Sequence, residues 1–172
     1  DLKKYIRSVK DYPKKGILFR DITTLIKNTE AFNYSIDQIV KISKMIEFDK
    51  ISAIESRGFI FASAVSYITK KPLILLRKKN KLPADRYSID FQLEYGDATI
   101  EVHKDSINKD DKVIIIDDLV QSGGTLIKCA EAIQNIANCN ISAFATHGVF
   151  PNNSWEKFVD NKGNATTAIS KF

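Results

Sequence analysis

The sequence is poor in the residues from which small proteins are stapled. Its 172 residues include only two cysteines, Cys129 and Cys139, ten positions apart. Neither a CxxC pair nor a nearby histidine pair accompanies them, which argues against a disulfide framework or a zinc site and for two plain thiols. No apolar run approaches the ~20 residues that a membrane helix needs. The longest, around Ile114–Ile116, has the length of a strand. Internal repeats and low-complexity linkers are also missing. There is no GK followed by Ser or Thr and no GxGxxG, which removes a Walker loop and a dinucleotide fingerprint. The formal net charge is +5, but no basic run and no basic–aromatic stripe goes with it, so nucleic acid is not expected as a partner. The balance reads as a solvated lysine-rich surface or as a local excess around an anionic small molecule. The opening DLKKYIRSVKDY reads as an amphipathic helix rather than a secretory signal. A cytoplasmic protein with no membrane partner is expected.

What the chain does contain is one domain's worth of alternating elements. A chain of this length buries roughly 70% of its unfolded surface and needs no crosslinks. A first helix is expected over Lys4–Tyr12, broken by Pro13 and Gly16. GILFRDIT reads as an extended segment. A helix capped by Asn28 or Thr29 runs to about Glu47, on the spacing of Phe32, Ile36, Ile39, Val40 and Met45. Strands are expected at Ile51–Ile54, Pro72–Leu76, Lys112–Ile116 and Ile141–His147, and helices at Gly58–Tyr67 and Gly124–Ala137. Asn80–Ser88 reads as a mobile polar loop, and Phe91–His103 as two arms around Gly96-Asp97. A short helix near Trp155–Val159 and a strand at Thr166–Ser170 close the chain. Strands alternating with helices predict a mostly parallel sheet covered on both faces. Ligands of such sheets sit at the carboxyl ends of strands. Three polar stretches follow strands here: ESRG, RKKNK and DDLVQSGGT.

The last of these, in VIIIDDLVQSGGT (Val113–Thr125), is the most pointed. Glycines at the mouth of a helix let several backbone N–H groups converge, and the helix terminus adds partial positive charge, so a phosphate fits. Ser122 and Thr125 add hydroxyls. Asp117 and Asp118 would repel a phosphate but would accept hydrogen bonds from vicinal hydroxyls such as those of a ribose. A helix cap with no ligand is the other reading of the same residues.

Apolar strand, two acids, a small polar pair and Gly-Gly-Thr together resemble the sugar-pyrophosphate signature of type I phosphoribosyltransferases. DYPKKGILFRDITTLI, IESRGFIF, LLRKKNKLP and FQLEYGDATIEVHKDSI are similar, in order and spacing, to segments of the adenine phosphoribosyltransferase family. The likeness spans about Tyr12–Ala137 and fades after His147. It implies the type I phosphoribosyltransferase fold: an α/β domain over 1–172, with a mostly parallel doubly wound sheet flanked by helices. A small flexible hood with an antiparallel hairpin is implied at about 78–104.

The implied reaction transfers the phosphoribosyl group of 5-phosphoribosyl-1-pyrophosphate to adenine, giving AMP and pyrophosphate through an oxocarbenium-like transition state. By the same resemblance Gln121, Ser122, Gly123, Gly124 and Thr125 hold the 5′-phosphate, and Asp117 and Asp118 the ribose. Ser56, Arg57, Arg77, Lys78 and Lys81 hold pyrophosphate, a role suited to a guanidinium fork. Arg57, Glu94 and Tyr95 act at the reacting centre, with Glu94 taking the purine proton and Tyr95 covering it. Leu18, Phe19, Arg20 and Leu119 contact adenine, the first three largely through backbone groups. Mg²⁺ arrives with the sugar pyrophosphate, near Asp117 and Asp118, with no direct protein metal site. A non-proline cis peptide is implied at Ser56–Arg57, and a homodimer is expected. Gln121 departs from the small residue usual in the family and bears on base preference. A transferase for another purine, or a non-catalytic sensor of the sugar pyrophosphate, are the alternatives. Glu94 and Tyr95 favour catalysis, and the chain has no room for a DNA-binding module.

Overall fold

The computed structural model describes residues 1–93, 96–120, 122–148, 150–159, 164, 167 and 169–171. Two compact units emerge, Asp1–Ile42 and Ser43–Phe172. Among the described residues no helix is long and apolar enough to cross a membrane.

In the first unit the expected Lys4–Tyr12 helix is absent. A 3₁₀ turn, Leu2–Tyr5, is followed by strand β1 (Arg7–Lys10), which pairs antiparallel with β2 (Leu18–Asp21). The partner strand decides the outcome. Val9 lies opposite Phe19 and Arg7 opposite Asp21, with an Arg7–Asp21 ion pair. The intervening loop is built to turn: Asp11 has φ 59° and Gly16 φ 90°, and Asp11 Oδ1 accepts the Gly16 N–H at 2.6 Å. Non-local pairing outweighs a local helical pattern. Helix α1 (Thr23–Lys27), not anticipated, precedes α2 (Thr29–Ser43). Asn28 caps α2 as expected, its Oδ1 accepting the Ala31 N–H at 2.9 Å. α2 stops at Ser43 rather than near Glu47, where Ile46 N–H turns back to the Ser43 carbonyl and Met45 stands 80% exposed.

The second unit is a seven-stranded sheet. Its elements in chain order are β3 (Lys50–Ile54), α3 (Arg57–Thr69), β4 (Leu73–Lys78), β5 (Arg86–Leu93), β6 (Gly96–His103), β7 (Lys112–Val120), α4 (Gly124–Ile136), β8 (Asn140–Gly148), a 3₁₀ turn (Pro151–Lys157) and β9 (Ile169–Lys171). The spatial order is β5-β6-β4-β3-β7-β8-β9, and β4 through β9 by way of β3, β7 and β8 form a parallel ladder. β5 and β6 join antiparallel at one edge. The apolar run of β7 divides between two faces, as the pleat requires. Val113 and Ile115 join Leu126, Cys129, Ala130 and Ile133 of α4 in one cluster. Ile114 and Ile116, also fully buried, belong to the opposite face, where α3 packs on β7 and β3.

Several boundaries differ from the sequence pattern. β7 continues through Asp117 and Asp118 to Val120 instead of ending at Ile116, because β8 pairs alongside it as far as Gly148. β5 begins at Arg86, inside the stretch expected to be irregular. The reason is Glu101 on β6, buried to 2% exposure. Its carboxylate pairs with Arg86 Nε at 3.0 Å, accepts the Asn80 N–H at 2.9 Å and lies 3.4 Å from the Ser88 hydroxyl. The two hairpin arms are thus Arg86–Leu93 and Gly96–His103, with positions 94 and 95 outside the described residues. The last helix is a 3₁₀ turn placed earlier than Trp155–Val159, and the last strand is Ile169–Lys171, with Thr166 outside the described residues.

Glu101→Leu is expected to lower the unfolding free energy by about 2 kcal/mol, since it strips a buried acceptor from a backbone N–H and a guanidinium. Arg86→Ala should cost less, its side chain being 35% exposed. Urea unfolding measures both, and an unchanged Glu101→Leu midpoint would contradict this role.

Candidate active site

The strand order reverses about β3: the chain passes from β3 to β4 on one side and later returns to β7 on the other. A crevice opens at the carboxyl ends of strands at such a point. A cavity of about 400 Å³ lies there, lined by the end of β3 (Ile54 and Glu55), Ser56 and Arg57, β7 from Asp117 to Val120, and the turn from Ser122 to Leu126.

A missing side chain brings these segments together. A Cβ on Gly58 would sit 2.9 Å from the Ile116 carbonyl oxygen and 3.4 Å from Asp117 Oδ1. Only glycine lets α3 start this close to β7. Arg57, the first residue of α3, thereby reaches Asp118, with Nε 3.1 Å from Oδ2. The cis peptide expected at Ser56–Arg57 is instead at Glu55–Ser56. Arg57 already has helical geometry, so the break between strand and helix falls one residue earlier.

The acid pair is electrostatically unequal. Asp118 is 3% exposed, and its Oδ2, though within ion-pair distance of Arg57, accepts no hydrogen bond. Its backbone is fixed on both sides: the N–H donates to Asp117 Oδ1 at 2.9 Å, and the carbonyl accepts from the Thr146 hydroxyl on β8. Asp117 is pushed up to about 8, first by burial and then by the charge of Asp118. Glu55 goes the other way. The Arg77 guanidinium, donating to it at 3.1 and 3.4 Å, and the Lys78 N–H, at 2.7 Å, hold its carboxyl below the usual range against a smaller opposing effect of burial.

Beyond β7 the chain turns through Gly123 at φ 81°, a left-handed conformation that favours glycine. Gly124 opens α4, and the Ile127 N–H makes a helical bond to the Gly123 carbonyl at 3.0 Å. The N–H groups of the first turn precede that bond and have no partner within the helix. No side chain caps Gly123. Gly124, Thr125 and Leu126 line the cavity with their donors and the positive end of a 13-residue helix.

Of the residues singled out from sequence, the cavity gathers Ser56, Arg57, Asp117, Asp118, Leu119, Ser122, Gly123, Gly124 and Thr125. Arg77 and Lys78 do not line it; they adjoin it through Glu55, and Lys81 does not line it either. Leu18, Phe19 and Arg20 lie on β2 in the first unit. Glu94, Tyr95 and Gln121 lie outside the described residues. Sequence reasoning gave no role to Glu55, Gly58 or Thr146. Glu55 and Gly58 flank Arg57 within ESRG and were open to notice; Thr146 carries no local signal, because its contact exists only once β8 lies beside β7. Among the described residues no group of three or more His, Cys, Asp or Glu side chains is placed to hold a metal. The Asp117–Asp118 pair with its unbonded oxygen suits a cation held jointly with a ligand's own oxygens.

The phosphoribosyl transferase domain model matches residues 11–162. The adenine phosphoribosyltransferase of Pelagibacter ubique is 65% identical over 144 residues, which cover 84% of this chain and 82% of that protein. That of Petrotoga mobilis is 50% identical over 125 residues, covering 73% and 72%. The crystal structure of adenine phosphoribosyltransferase from Thermoanaerobacter pseudethanolicus superposes with a TM-score of 0.79 at 34% identity, covering 86% of this chain and 97% of that one. The chain belongs to the adenine phosphoribosyltransferases of the phosphoribosyl transferase family.

Proposed function

We propose that this protein joins adenine to 5-phosphoribosyl-1-pyrophosphate, producing AMP and pyrophosphate, as one phosphoribosyltransferase domain acting in purine salvage. The observation that carries the reading is one cavity shared by three sequence segments, each matched to a different part of the sugar substrate: Ser56–Arg57, Asp117–Asp118 and Ser122–Thr125.

Charge guides the assignment of roles. The amides at the mouth of α4, with Ser122 and Thr125, take the dianionic 5′-phosphate. Asp118 takes a ribose hydroxyl, which would satisfy its buried, unbonded Oδ2. Arg57 turns its guanidinium to the pyrophosphate. As the glycosidic bond breaks, negative charge grows on that leaving group, so a fixed cation there is worth more in the transition state than in the ground state. Arg77 and Lys78, which adjoin the cavity through Glu55, support the same group, and Lys81 is assigned to it by the sequence resemblance alone. Mg²⁺ carried by the sugar pyrophosphate, beside Asp117 and Asp118, supplies further charge neutralisation when bound. Leu119 lines the cavity as an apolar contact for the base. Glu94 as acceptor of the purine proton, Tyr95 as its cover, Gln121 in the phosphate turn and Leu18, Phe19 and Arg20 as adenine contacts rest on the sequence resemblance alone. A cytoplasmic setting is an expectation from the sequence pattern, which shows neither a secretory signal nor an apolar run of membrane length. A homodimer draws some support from α3, which leaves Ile60, Tyr67 and Ile68 exposed.

With Mg²⁺ and the sugar pyrophosphate, the purified protein is expected to convert adenine to AMP at least about tenfold more efficiently than hypoxanthine or guanine, the discrimination that donor–acceptor matching readily supplies. Equal or preferred use of hypoxanthine in a panel of bases would reject adenine. The acid pair should also mark the ligand-free protein. Asp117 titrates near 8 when folded and near 3.8 when unfolded. Between these values the folded state holds more protons, so stability falls as pH rises through that window. Asp117→Asn is expected to raise the melting temperature more at pH 8 than at pH 5, and equal gains at both would contradict the shifted carboxyl.

A further inference from the structure

The segment after His147, which the sequence pattern leaves without a role but which lies inside the family match to residue 162, returns to the phosphate turn. It leaves β8 through Phe150 (φ 46°), Asn152 (φ 51°) and Asn153 (φ 57°), left-handed conformations that non-glycine residues rarely adopt. The chain then runs through the 3₁₀ turn to Phe158, which is 4% exposed and sits in the same core cluster as Leu126 and Ala130 of α4. The Phe158 ring occupies the space where a side chain on Gly123 would be: a Cβ built there would run into Cζ and Cε2. Phe150 packs edge-on against Phe158, ring centroids 6.0 Å apart at 84°, and itself fills the space over Gly148.

We propose that Phe158, backed by Phe150, is a positioning residue for the 5′-phosphate turn. The inference rests on the reading of Ser122–Thr125 as that turn. A Gly-Gly turn is the most pliable backbone a protein can use, and its amides bind an anion well only if they are held in converging directions before it arrives. The ring presses on the Gly123 Cα from the core side. It prevents the turn from folding inward and holds the left-handed residue that starts α4. Gly123 is therefore demanded twice, by its backbone angle and by the ring. Phe158 touches no substrate in this arrangement; it acts through the amides.

The test is calorimetric titration of wild type, Phe158→Leu and Phe158→Tyr with AMP and, separately, with pyrophosphate. Leucine withdraws the support. Tyrosine adds an oxygen at Cζ, the ring atom nearest the turn, and crowds it. Both variants are expected to bind AMP about tenfold more weakly, on the scale at which small displacements of binding groups cost affinity. Pyrophosphate, assigned to Arg57, should change by less than about twofold. A role in core stability alone would lower the melting temperature without separating the two ligands. If the leucine variant does not fold, the tyrosine variant carries the comparison. Unchanged AMP affinity, or equal losses for both ligands, overturns the inference while leaving the phosphate turn intact. Wild type that binds no AMP overturns the turn reading and this inference with it.

Discussion

The close approach of α3 to β7 at Gly58 is the constraint on which the site depends. With 2.9 Å from a would-be Cβ to the Ile116 carbonyl oxygen, no other residue allows the first turn of α3 to rest on that strand. Everything downstream uses this contact. It carries Arg57 to Asp118 and brings the Glu55–Arg57 segment beside the end of β7, where the two line one cavity. The Thr146 hydroxyl bonded to the Asp118 carbonyl ties β8 to the same point. The parallel sheet is thus more than a platform, since its register decides which charges meet.

Those charges are compensated within the protein before any ligand arrives. Arg57 faces Asp118, Arg77 faces Glu55, and Asp117 is held toward its neutral form. A cavity with three carboxyl groups in its wall would otherwise repel a polyanion. The pairings are exchangeable: a pyrophosphate competes with Glu55 and Asp118 for the guanidinium groups, and hydroxyls can take the carboxylate oxygens released. Arg57, about a third exposed, keeps access to solvent and ligand, whereas Asp118 does not. This asymmetry suits a cation that must move to an arriving anion and a carboxylate that must stay.

Much of this was legible in the sequence where the cause is local. The apolar run Val113–Ile116 followed by acids and Gly-Gly announced strand, site and helix, and Asn28 announced its cap. Legibility failed where the cause is a distant partner. Arg7–Lys10 became a strand because of β2, and Arg86 because of a buried Glu101 on β6. Glu55 stands in plain view within ESRG, but its pairing with Arg77 exists only once β3 and β4 lie side by side. The ring of Phe158 against Gly123 is farther still from anything a local pattern encodes. Leu18, Phe19 and Arg20 were assigned through resemblance, and their strand alone gives no sign of a base.

The central claim is that amides at the mouth of α4 hold a phosphate while Asp118 holds the pentose. A crystal structure of the AMP complex tests it most directly. The account predicts the 5′-phosphate within hydrogen-bonding distance of backbone N–H groups between Ser122 and Thr125, with a ribose hydroxyl on Asp118 Oδ2. A nucleotide bound elsewhere, or bound here with its phosphate turned away from those amides, would contradict it.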